Sequence, residues 1–98
     1  MNGRPAIESL TLALSRHFGP LRQISSDSVA WHSATYSGQR HKIGFTVDNS
    51  ACLSTRLDSL DDLDIPLRRG FVASIAVVER SISDAGVVVQ IEALTLDA

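Results

Sequence analysis

The chain has 98 residues, 44% hydrophobic and 20% charged, and nine Lys and Arg against 11 Asp and Glu leave a net charge of −2. That length suits one domain, and the apolar share can offset an ordering entropy on the order of 150 kcal/mol, so a disordered chain is excluded. The near-neutral balance gives no long-range attraction to nucleic acid or to an anionic membrane, although a local basic patch is still allowed.

In chain order, "RPAIESLTLALSRHFGP" reads as one helix over about residues 5–18. Ile7, Leu10, Leu14 and Phe18 recur at helical spacing, with Glu8, Ser9, Ser15 and Arg16 on the other side and Leu12 off the stripe. Pro5 suits a first turn, and Gly19-Pro20 is a stop signal.

After a turn-rich "SSDS" the pattern predicts a first hairpin over about 28–48 and, past a connector at 49–69, a second over about 70–96. In the connector Leu53, Leu57, Leu60 and Leu63 suit a short helix or a packed loop, and Pro66 ends any helix there. The expected fold is α+β: one N-terminal helix packed on a four-stranded antiparallel sheet made of two hairpins, in a single domain over 1–98.

Register decides which side chains meet, because a slip of one residue sends each to the opposite face. A loop Asp84-Ala85-Gly86 sets glycine where a left-handed conformation is needed and pairs Ser83 with Val87. Phe71, Ala73, Ile75, Val77, Val87, Val89, Ile91 and Ala93 then share the core face. On the other face Val72, Ala76, Val78, Ile82, Val88, Leu94 and Leu96 are apolar, against Ser74, Arg80, Gln90 and Glu92. A solvent-facing sheet should be more polar than this, so either the leucine-bearing connector or another chain covers that face.

In the first hairpin, a loop Tyr36-Ser37-Gly38 pairs Trp31 with Ile43 and Val29 with Phe45. His41 then shares the Trp31 face, opposite Ser33, while His32 and Lys42 lie on the other side.

Residues with chemical potential lack the company that chemistry needs. His32 and His41 point to opposite sides in this register, and no Cys-x-x-Cys or closely spaced His pair occurs, so no metal site is expected. "DSLDDLD" gathers Asp58, Asp61, Asp62 and Asp64 without the glycine or terminal Glu of an EF-hand loop. Ser33 and His41 have no acid partner, Cys52 reads as a small buried hydrophobe, and the six glycines are scattered at turns. No catalytic residue and no cofactor are expected, and the chain reads as a non-enzyme.

Two binding readings remain. The leading one is a protein-interaction module, homodimerising through the second hairpin with Val72, Val78, Ile82, Val88, Leu94 and Leu96 at the interface. The alternative is a nucleic-acid-binding face formed by His32, Tyr36, Arg40 and Lys42, which Arg68 and Arg69 extend if the third strand starts nearby. A single cysteine, no basic start followed by an apolar run, and no apolar run near the ~20 residues of a bilayer span suit a soluble, cytoplasmic protein without membrane contact.

Overall fold

The computed structural model describes residues 6–63, 65–67, 70–84 and 86–97. Helix α1 spans Ala6–Phe18, followed by strands β1 (Leu21–His32) and β2 (Ser37–Val47), a short helix α2 (Leu53–Asp58), a 3-10 turn (Leu60–Asp62), and strands β3 (Phe71–Ser83) and β4 (Gly86–Leu96). The strands form one antiparallel sheet in the order β1-β2-β4-β3, so β2 and β4 join the two hairpins in the middle. The expected α+β architecture is present.

The apolar stripe of α1 is buried as the spacing predicts: Leu10, Leu14 and Phe18 enter the core, Ile7 packs at its margin, and Leu12 stays largely exposed. Gly19, at φ 78°, ends the helix in the left-handed conformation that costs glycine nothing. Phe18 meets Phe45 at a ring-centroid distance of 5.4 Å. The sheet contributes Ile43, Phe45, Val47, Val87, Val89, Ile91 and Ala93 to the same core.

A 13-residue helix is about 20 Å long, whereas strands of 11 to 13 residues run for about 36 Å or more. One helix therefore cannot cover the sheet. The connector completes the layer: Leu53, Leu57, Leu60 and Ile65 are buried in the same cluster as α1. The leucine-bearing segment thus lies on the helix side of the sheet, and among the described residues the second face is bare.

Registers differ from the expected ones, for identifiable reasons. The first hairpin turns at Ala34-Thr35, where Ser33 N–H donates to the Tyr36 carbonyl (2.7 Å) and Tyr36 N–H donates to Ser33 Oγ (3.0 Å). A serine hydroxyl closes this turn in place of a glycine. Trp31 consequently pairs with Gly38 and Ser28 with His41, which moves Trp31 to the face opposite His41, Ile43 and Phe45. Strand β1 also begins at Leu21, so the polar "SSDS" lies inside it; as an outer strand exposed along most of its length, it tolerates those residues.

The second hairpin closes with Ser83 paired to Gly86, one residue tighter than expected, and Gly86 has φ 126°. Ile82 and Arg80 therefore start on the helix side. A bulge at Val78 transfers that side to Val77 and Ile75, and another at Ala73 transfers it to Val72. Val87, Val89, Ile91, Ala93 and Ile75 are core residues as expected, and Val77 is partly buried, but Phe71 and Ala73 are exposed.

Candidate interaction face

The register fixes what the bare face carries, as cross-strand rows running β1-β2-β4-β3. At one end stand Trp31, Gly38, Leu96 and Phe71; next come Val29, Arg40, Leu94 and Ser74; then Asp27, Lys42, Glu92 and Ala76. Beyond them lie Ser25, Gly44, Gln90 and Glu79, then Arg22, Thr46, Val88 and Ser81. The first row is apolar, and Phe71 is 54% exposed within it. Val29, 56% exposed, adds to this end. The middle is charged with both signs: Arg40 Nε lies 3.5 Å from Glu92 Oε1, and Lys42 stands between Asp27 and Glu92.

Trp31 is half-buried on this face, paired with Gly38 of β2. Its Nε1 is the one buried side-chain polar atom among the described residues that lacks a hydrogen-bond partner. A Cβ on Gly38 would collide with the Thr95 carbonyl, so the glycine serves close strand approach and not a turn.

The six residues expected at a dimer interface do not share this face. Val88, Leu94 and Leu96 lie on it, half-buried. Val78 sits at a bulge and is 56% exposed, while Val72 and the 79%-exposed Ile82 turn to the helix side. Ile82 instead borders a groove of about 460 Å³ with Leu53, Leu57, Arg80 and Val87.

The four residues of the expected nucleic-acid face are also divided. Arg40 and Lys42 lie on the bare face, His32 belongs to the opposite side, and Tyr36 is at the hairpin tip. Arg68 and Arg69 fall outside the described residues.

His41 forms the most organised polar group. It is wholly buried; its Nδ1 lies 2.7 Å from Ser28 Oγ and its Nε2 3.0 Å from Thr95 Oγ1. The Thr95 hydroxyl donates to the Gln39 carbonyl at 3.4 Å, so it accepts from Nε2–H, and Nδ1 accepts from Ser28. Burial lowers the His41 pKa, which favours this neutral tautomer. The serine facing His41 is therefore Ser28 and not Ser33, and the third group is a threonine hydroxyl, which brings no negative charge to stabilise an imidazolium.

Cys52 is exposed at the start of α2, contrary to the buried role expected of it. His32 and His41 share one side of the sheet after all, although among the described residues no group of three or more His, Cys, Asp or Glu is placed to hold a metal ion. No helix among the described residues is long and apolar enough to cross a membrane.

No family model, curated protein or solved structure matches the chain.

Proposed function

We propose that this protein is a non-catalytic interaction module that works as a homodimer, docking through the sheet face that its helices leave bare. The observation that carries the reading is the placement of both helices and the 3-10 turn on one side of the sheet. The opposite side then presents Trp31, Phe71, Leu94 and Leu96 together at one end.

Size supports the same reading. Four strands about 4.8 Å apart and roughly 11 residues long present about 700 Å², close to the roughly 800 Å² that each partner contributes to a standard interface. This reading keeps Val88, Leu94 and Leu96 from the expected interface and replaces Val72, Val78 and Ile82 with Trp31 and Phe71.

The mixed charge of the face favours a protein over a polyanion. Arg40 is paired with Glu92, and Asp27 flanks Lys42, so little positive potential is left for phosphates. A cytoplasmic location belongs to the same proposal and rests on the chain's single, unpaired cysteine.

Leu94→Arg tests the proposal. It sets a charge at the apolar end of the face, on central strand β4, without entering the core, so the variant should fold and run as a monomer by light scattering while the unaltered chain runs as a dimer. An unchanged dimer would place the interface elsewhere.

A further inference from the structure

We infer that the second copy docks face to face about a twofold axis lying parallel to the strands, between β2 and β4, so that Lys42 of each copy sits over Glu92 of the other. The inference rests on the homodimer reading above and specifies its geometry.

Lys42 and Glu92 are direct Cα partners on the two central strands. Lys42 is also the midpoint of β2, which runs from Ser37 to Val47. The pair therefore marks the centre of the bare face. Two sheets stacked face to face cross at about −30°, and positions near the axis are displaced least by that rotation. A central pair thus keeps its partner whatever the crossing angle, and it determines which twofold is favourable.

Two in-plane axes through this centre are available. An axis perpendicular to the strands lays β2 over β2 and β4 over β4, setting Lys42 against Lys42 and Glu92 against Glu92. Like charges facing each other in a closing interface are repulsive. An axis parallel to the strands lays β2 over β4 and sets each lysine against a glutamate, twice by symmetry. The same operation lays β1 over β3. Because Trp31 and Phe71 occupy opposite ends of one row, it brings Trp31 of each copy toward Phe71 of the other. It also lays Arg40 over Leu94, where the arginine stem covers apolar surface while its guanidinium stays near Glu92.

The test is a charge exchange followed by light scattering over a dilution series. Lys42→Glu and Glu92→Lys should each run as monomers, because each sets like charges together twice. Mixed in equal amounts they should form a heterodimer, in which both contacts are again opposite in sign. Circular dichroism checks that each variant folds. Should either fail to fold, Lys42→Gln and Glu92→Gln create no repulsion within the sheet and should each weaken the dimer on the order of tenfold. A persistent dimer in every single variant overturns this geometry and leaves the homodimer reading standing. Folded variants that stay monomeric when mixed also overturn the geometry. A monomeric unaltered chain overturns both.

Discussion

His17 and Arg56 hold each other's backbone: His17 Nε2–H donates to the Arg56 carbonyl at 2.7 Å, and Arg56 Nη1 donates to the His17 carbonyl at 3.3 Å. This reciprocal clamp ties the last turn of α1 to α2 and sets a cation at the carbonyl end of α1, where the helix dipole favours it. With the burial of Leu53, Leu57, Leu60 and Ile65 it holds the connector on the helix side of the sheet, and among the described residues no element covers the opposite face. His17→Ala and Arg56→Ala each remove one arm. Each should lower stability by about 0.5–1 kcal/mol at these exposed positions, read as a shift in urea midpoint at unchanged slope.

Acid should weaken the fold through His41. Burial lowers its folded-state pKa below the ordinary value of 6.5, so the folded chain binds fewer protons than the unfolded chain in that range. The stability carried by neutral His41 is complete above the unfolded value and is lost as pH falls through it toward the lowered folded value. Urea midpoints measured between about pH 7.5 and pH 5 should fall for the natural chain. His41→Leu should flatten that dependence, and an equally steep fall in the variant would assign it to other groups.

Gly38→Ala should destabilise by about 1–3 kcal/mol, because its Cβ meets the Thr95 carbonyl and the backbone of Leu96, neither of which can turn aside. Gly44→Ala is the matched control. There the nearest atom is the Ser25 hydroxyl, the end of a side chain that can rotate away, so the cost should be smaller. Thermal midpoints of the two variants distinguish close strand packing from a general intolerance of side chains in β2.

Cys52 should react with a thiol reagent in the native state at nearly its rate in the unfolded chain, since it is exposed at the start of α2. A rate that rises strongly with denaturant would mean that the residue is covered in solution.

Oligonucleotide binding separates the two binding readings. Arg40 and Lys42 share the bare face with Asp27 and Glu92, while His32 and Tyr36 lie elsewhere. Titration at low salt should find no salt-sensitive binding. Binding that Arg40→Glu and Lys42→Glu abolish would restore the nucleic-acid reading.

Much of the architecture is legible in the sequence because it rests on periodicity. The α1 stripe, the alternation in β4 and the leucines of the connector each identify their element without knowledge of its neighbours. The faces are less legible because they depend on single residues. Gly38 advertises a turn but serves strand packing, and Ser33 closes the turn with a hydroxyl that the sequence does not distinguish from its neighbours. The bulges at Ala73 and Val78 each exchange the faces of β3, and neither carries a Gly or Pro to signal it. The excess of apolar residues on the second face was readable. Its true membership, with Trp31 and Phe71 in and Val72 and Ile82 out, required the register.

Whether a second copy covers that face is measured most directly by absolute mass from light scattering behind size exclusion, across a dilution series. A mass near twice the 10.6 kDa chain, persisting on dilution and lost in Leu94→Arg, is the predicted result. A single-chain mass at every concentration would contradict it.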